Sequence, residues 1–195
     1  MKKIFLTIRE DYIFKRKEKR DSFDQRLILW ISKLKIRPII LSNNFNYNEL
    51  EKKGISGVII SGGGDTRFKT KRKALETKLI KWAQKNNKAI LGICYGMQLL
   101  GKLDGARLKK IKGHVKRKNK IISKKHYKFP KKVNCFHNFA LANCPKNFEV
   151  IARSKDNLIE AIKHKTQKCE AWMWHPEREK RFNSDLIKRA KNLFK

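Results

Sequence analysis

Residues 89–100 read Ala89-Ile90-Leu91-Gly92-Ile93-Cys94-Tyr95-Gly96-Met97-Gln98-Leu99-Leu100. The apolar run Ala89–Ile93 predicts a strand of a mainly parallel sheet, where both faces are covered by helices. A helical run follows without a linker, so Cys94 stands on the turn between strand and helix. Glycine on either side permits a bend at which a Cβ would strike neighbouring backbone. Such an elbow projects its side chain from the carboxyl edge of the sheet. At a helix N-terminus the dipole and free N–H groups favour the thiolate, the attacking form of cysteine. Cys94 is therefore the candidate nucleophile.

Working outward, short apolar runs alternate with amphipathic stretches, the pattern of an α/β domain. Ile4–Ile8, Pro38–Leu41 and Gly57–Ser61 read as strands on the amino-terminal side, and the last runs directly into Gly62-Gly63-Gly64-Asp65. Helical periods cover Ser22–Leu34, with Asp21 or Ser22 as cap, and Arg72–Gln84; a short helix is expected near Tyr47–Lys52. On the other side, residues 106–132 are charged and irregular, predicting hairpin or loop. Strand-like runs resume at Val133–Phe136, Phe148–Ala152, Leu158–Ile162 and Glu170–Trp174, before a helix over Ser184–Leu193. With no repeat and no Gly/Pro/Ser linker, residues 1–195 are expected to form one domain. The expected architecture is a three-layer α/β/α domain.

Composition narrows the class of partner. Fifty Lys and Arg against 17 Asp and Glu leave a formal charge of +33. The lysines are scattered through nearly every segment, which reads as a compositional bias more than a patch. The densest stretch, Lys109–Lys132, has Tyr127 and Phe129 interleaved, but no zinc-finger spacing, RNP-like motif or basic-heptad pattern accompanies it. Nucleic acid is therefore disfavoured, a small anionic substrate is favoured, and a homo-oligomer stays open. No apolar run approaches a membrane span, and charge interrupts the opening MKKIFLTIRED before a signal-peptide core. Cys94, Cys135, Cys144 and Cys169 show no disulfide spacing, which places the chain in a reducing cytoplasm. His114 and His126 have no matching ligands at metal spacing, and Gly62-Gly63-Gly64 lacks the GxGxxG pattern, so neither metal nor cofactor is expected.

A nucleophilic cysteine needs a base, and the base an orienting carboxylate. His175-Pro176-Glu177, at the end of the run Ala171–Trp174, supplies both. Residues at strand ends share one crevice if the strands share a sheet. Cys94, His175 and Glu177 are the expected triad.

These motifs carry a resemblance to a known family. Gly92-Ile93-Cys94-Tyr95-Gly96-Met97-Gln98 and Trp174-His175-Pro176-Glu177 resemble the two catalytic motifs of class I glutamine amidotransferases and the related γ-glutamyl hydrolases. Ser61-Gly62-Gly63-Gly64-Asp65 is similar to their glycine-rich oxyanion strand, Val133–Asn138 to their V-N-S-[YF]-H-[NH] segment, and Asp156–Ala161 to their D-G-x-[IV]-E-A strand. Arg20-Asp21-Ser22-Phe23-Asp24-Gln25-Arg26 resembles the R-D-x-x-D-x-R segment of the stand-alone γ-glutamyl hydrolases. Departures are Tyr95 after the nucleophile, Cys135 in place of Ser, Asn157 in place of Gly, Ala106 in place of Gly and Lys73 in place of Asp; the last leaves a role for Glu76 open.

The resemblance implies a fold and a chemistry. Cys94 would attack a γ-glutamyl carbonyl, with His175 moving the proton and Glu177 orienting His175. Backbone N–H groups of Tyr95 and of the Gly63-Gly64 turn would hold the oxyanion. Gln98 and His137 would grip the glutamyl part. The motif set looks most like the branch associated with capsule and lipopolysaccharide, which implies a γ-glutamyl-CDP-amidate substrate. Arg20, Arg26, Arg67 and Arg72 are the candidates for its pyrophosphate in a basic crevice. Alternatives are a γ-glutamyl-amine hydrolase, a glutaminase subunit with a synthetase partner and, from another class, a nucleic-acid-binding protein.

Overall fold

The computed structural model describes residues 1–195. The chain begins with β1 (Lys3–Thr7), a hairpin of β2 (Arg9–Ile13) and β3 (Glu18–Ser22), α1 (Gln25–Ser32) and β4 (Arg37–Leu41). Next come β5 (Ile55–Ile60), α2 (Lys71–Lys85), β6 (Ala89–Ile93) and α3 (Tyr95–Leu103). The remainder holds β7 (Leu108–Lys110), β8 (Val115–Ser123), β9 (Lys132–Phe136), β10 (Phe139–Leu141), β11 (Phe148–Ser154), β12 (Ile159–His164), β13 (Cys169–Trp172) and α4 (Ser184–Leu193).

Nine strands form one sheet in the order β4-β1-β5-β6-β13-β12-β11-β8-β9. The half from β4 to β13 is parallel, as the buried run Ala89–Ile93 requires, and β12, β11, β8 and β9 extend it antiparallel. Side chains alternate between faces along a strand, which sorts the helices. On β5, a Cβ at Gly57 would meet Phe194 at the end of α4, whereas Ile60 lies against Gly96 of α3. Phe5 packs on Trp82 of α2, and Trp172 on Trp30 of α1. Thus α2 and α3 cover one face, and α1 and α4 the other. A core of 45 buried apolar residues joins the layers.

Local chemistry explains where the elements depart from expectation. The first helix begins at Gln25 and is capped by Asp24, whose carboxylate accepts the Arg26 N–H at 2.9 Å, not by Asp21 or Ser22. Those two residues end the β2–β3 hairpin, which the charged segments REDYI and EKRDS concealed because neither alternates cleanly. The charged stretch 106–132 contains β7 and the nine-residue β8, which pairs with β9 on one side and β11 on the other. Its sequence VKRKNKIIS is mostly exposed, so it lacks an apolar face to read. No helix is long and apolar enough to cross a membrane.

Of the glycines, Gly96 under the elbow has the least room for a side chain. A Cβ on Gly96 would come within 2.3 Å of the Ile60 carbonyl oxygen, which is backbone and cannot rotate away. Gly96→Ala is expected to lose about 3 kcal/mol or more, the upper end of overpacking penalties, read as a shift in urea midpoint at unchanged slope.

Candidate active site

Cys94 has φ 49 and ψ −98, a backbone conformation that side chains larger than glycine rarely adopt. Its N–H donates to the Trp172 carbonyl at 2.7 Å, and its own carbonyl accepts the Gln98 N–H at 3.1 Å. The first bond ties the elbow to the neighbouring strand; the second starts α3. Gly92 is confined as well, since a Cβ there would meet the Gly96 carbonyl carbon at 2.8 Å.

The end of β13 delivers His175 to the same place. His175 and Glu177 are both buried, and Nδ1 lies 2.6 Å from Glu177 Oε1. Burial pulls the imidazole toward neutrality, but the hydrogen-bonded Cys94 side chain and the Glu177 carboxylate outweigh it and hold His175 up at about 9. Gly62 lies close against the ring, for a Cβ there would sit 2.4 Å from Cε1. Phe136 meets the ring edge-on at 5.8 Å. Asn134 clasps the His175 backbone from both sides: its Nδ2 donates to the carbonyl at 2.7 Å and its Oδ1 accepts the N–H at 3.0 Å. Sequence reading gave Asn134 no task beyond its place in a motif.

A cleft of about 220 Å³ opens here, lined by Gly63, Gly64, Cys94, Tyr95, Gln98 and Phe139 among others. Gly63 and Gly64 have φ of +85 and +90, and neither N–H donates to another backbone carbonyl. Gln98 faces the cleft from α3, its amide donating to the Phe139 carbonyl at 3.1 Å. His137 also borders the cleft, but Nδ1 lies 3.1 Å from the Phe139 carbonyl and Nε2 faces His114 at 3.3 Å. Both ring nitrogens therefore point at protein, and burial, with His114 and His175 nearby, drops His137 to about 4.

The expected arginines take other posts. Arg72 is buried beneath the glycine loop, donating to the Gly63 carbonyl at 2.6 Å and the Ser61 carbonyl at 2.8 Å, and pairing with Glu76 at 2.8 Å. Thr7 also donates to Glu76 at 2.7 Å, and the Arg72 guanidinium lies 4.1 Å from the centre of the Tyr95 ring. It braces the loop and is not among the residues that line the cleft. Arg26 donates to the Glu177 carbonyl at 3.0 Å and to that of Glu179, pinning the turn after His175. Arg20 pairs with Glu18 on the exposed hairpin. Arg67 pairs with Asp65 and stacks on Phe139, 4.2 Å from the ring centre, at the cleft rim. The arginine that does line the cleft is Arg178, stacked on Phe136 at 4.7 Å, which sequence reading passed over. With Asp65 its only fixed-charge companion there, the crevice is not the basic one expected.

One further expectation is corrected. His114 has partners after all: its ligand atoms, with those of Cys135, His137 and Glu160, lie within 4.8 Å of one another, all buried. These positions are far apart in sequence, and only the pairing of β8, β9, β11 and β12 gathers them.

A thiol on a strand-to-helix elbow, against a buried imidazole–carboxylate pair in an α/β sandwich, can form and break an acyl bond to sulfur. Residues 17–190 match the family described as Glutamine amidotransferase class-I. The chain is 32% identical over 156 residues to the γ-glutamyl-CDP-amidate hydrolase of Campylobacter jejuni, covering 77% of this chain and 76% of that one. It is 33% identical over 159 residues to a glutamine-hydrolyzing GMP synthase subunit of Methanococcus vannielii, covering 76% and 78%. Its fold matches a protein from Thermoplasma acidophilum described as a GMP synthase subunit, with a TM-score of 0.76 at 23% identity, over 100% and 94% of the two chains. The chain belongs to the class I glutamine amidotransferase family.

Two measurements probe this geometry. Arg72→Ala would strand the buried Glu76 carboxylate, an expected loss of about 3–5 kcal/mol in urea denaturation; joint replacement by Arg72→Met and Glu76→Leu should recover only the part owed to that carboxylate, the Gly63 and Ser61 carbonyls still lacking their donor. His175 is raised from 6.5 to about 9, so the stabilisation from its charged form is whole below 6.5 and fades as pH rises through about 9. The unfolding free-energy gap between wild type and Cys94→Ala should shrink across that window.

Proposed function

We propose that the protein is a γ-glutamyl hydrolase using Cys94, His175 and Glu177. The observation that carries this reading is the thiol on the elbow facing the raised imidazole, inside a cleft sized for a glutamyl arm. The Cys94 sulfur attacks the γ-carbonyl; the C–N bond breaks as His175 gives its proton to the leaving nitrogen, and a thioester remains. The Tyr95 N–H and one from Gly63-Gly64 hold the oxyanion. With the sulfur acylated and its proton gone with the leaving nitrogen, His175 is neutral and becomes the base that takes a proton from water. Addition of that water and collapse to the thiol release L-glutamate. Glu177 keeps the ring oriented through both steps.

The proposed substrate is γ-glutamyl-CDP-amidate, giving CDP-amidate for phosphoramidate decoration of capsular polysaccharide in the cytoplasm. Likeness to the Campylobacter jejuni enzyme supports it, and four free cysteines suit a reducing compartment. Arg178 and Arg67 stand at the cleft wall and rim, where a diphosphate leaving group would emerge. A second reading, a glutaminase that feeds ammonia to a synthetase, draws on the likeness to the Methanococcus vannielii protein.

The test is glutamate release from γ-glutamyl-CDP-amidate, L-glutamine and a γ-glutamyl-amine side by side. Fast turnover of the first is expected, falling at least about 10³-fold in Cys94→Ala. Silence on all three would transfer the protein to the second reading. Arg178→Ala should raise KM for the nucleotide substrate about tenfold, the worth of a charge-assisted hydrogen bond, and leave KM for glutamine unchanged. Acyl-enzyme formation should slow as pH rises through about 9, because His175 then lacks the proton for the leaving nitrogen.

A further inference from the structure

Behind the cleft wall, four side chains from separate segments converge. His114 precedes β8, Cys135 lies in β9, His137 follows it, and Glu160 lies in β12. We infer that these four residues form a tetrahedral binding site for a divalent transition-metal cation, with zinc the ion their chemistry suits.

The orphaned carboxylate is the first ground. Glu160 is fully buried, yet neither of its oxygens has a hydrogen-bond partner. Its nearest neighbours are His114 Nδ1 at 3.3 Å and His137 Nε2 at 3.7 Å, both ring nitrogens of the same cluster. A buried carboxylate whose only close neighbours are two imidazoles, neither in hydrogen-bonding geometry, is unfavourably placed, and a cation at the centre of the cluster would answer it.

Second-layer bonding is the other ground. The far nitrogen of each ring faces an acceptor: His114 Nε2 lies 2.9 Å from Asp156 Oδ2, and His137 Nδ1 lies 3.1 Å from the Phe139 carbonyl. An acceptor at the far nitrogen places the N–H there and leaves the near nitrogen its lone pair. His114 Nδ1 and His137 Nε2, 3.3 Å apart, are then the ring nitrogens left to face the centre of the cluster. Asn119 Nδ2 is 3.0 Å from both nitrogens of His114, so it lies off the lone-pair direction of either. The Cys135 thiol is held only weakly, 3.8 Å from the Val133 carbonyl and beside the Asn119 backbone, and is free to be a ligand.

One thiolate, two imidazoles and one carboxylate make a donor set for zinc, and their two negative charges neutralise a divalent ion. Four protein ligands leave no position for substrate, so the ion would hold structure without touching the reaction. It would join β9 to β12 and fix the segment from Phe136 to Phe139, which walls the cleft and rests on His175. Binding releases the Cys135 proton to solvent. This proposal is independent of the amide hydrolysis proposed above.

Full-length protein, stripped with a chelator under native conditions and given zinc, should retain about one equivalent per chain after dialysis and gain thermal stability. Cobalt in place of zinc should show a thiolate-to-cobalt charge-transfer band that Cys135→Ser abolishes. Asp156→Asn, altering a largely exposed side chain, should fold normally and weaken zinc affinity about 10- to 100-fold. No retained zinc in wild type, or a cobalt band unchanged in Cys135→Ser, would overturn the assignment and leave a proton-sharing hydrogen-bond network only.

Discussion

The bend at Cys94 is the constraint from which the rest of the molecule follows. A non-glycine residue at φ 49 stores about 1–3 kcal/mol of backbone strain, and it persists because its surroundings allow no alternative. The Trp172 carbonyl holds its N–H, Ile60 lies directly beneath Gly96, and Leu100 fills the space over Gly92. Relaxing the bend would pull α3 off the sheet and break the packing between β5, β6 and β13. The same bend points the thiol at the carboxyl edge, where the parallel strands also end.

Around the thiol, loops are made rigid by buried polar side chains more than by apolar packing. Asn134 grips the His175 backbone, Arg26 binds the carbonyls of the following turn, and Arg72 binds two carbonyls of the glycine loop. Arginine suits this work because its planar fork satisfies several acceptors at once and stays charged. Two arginines that look like phosphate ligands in sequence are therefore braces, and the site's geometry rests on them. Gln98 and Phe139, linked by one hydrogen bond, close the opposite wall.

The charge of +33 has little to do with the cleft. Its lining carries one arginine and one aspartate, so the lysine excess lies outside it. Such a surface attracts anions over some distance, within about 10 Å at ordinary salt, and raises encounter rates for any of them. Discrimination falls to the few groups at the wall and rim.

The parallel half of the sheet, the elbow and the pairing of His175 with Glu177 were legible in the chain itself. Each is a local pattern: an unbroken apolar run, glycines flanking a thiol, a histidine and carboxylate two residues apart after a strand. The hairpin after β1 and the strand β8 were not legible, because charged, exposed strands carry no alternation. Nor could the chain show which arginine braces and which faces the cleft, since side chains of one type differ only in what surrounds them. His114, Cys135, His137 and Glu160 are the clearest case. Their spacing looks random along the chain, and antiparallel pairing of β8 with β9, and of β8 and β12 with β11, brings them together. Sequence alone determined the local geometry of the elbow and of the His175–Glu177 pair; long-range strand pairing decided the neighbours, because contacts between distant residues are set by the register of the sheet.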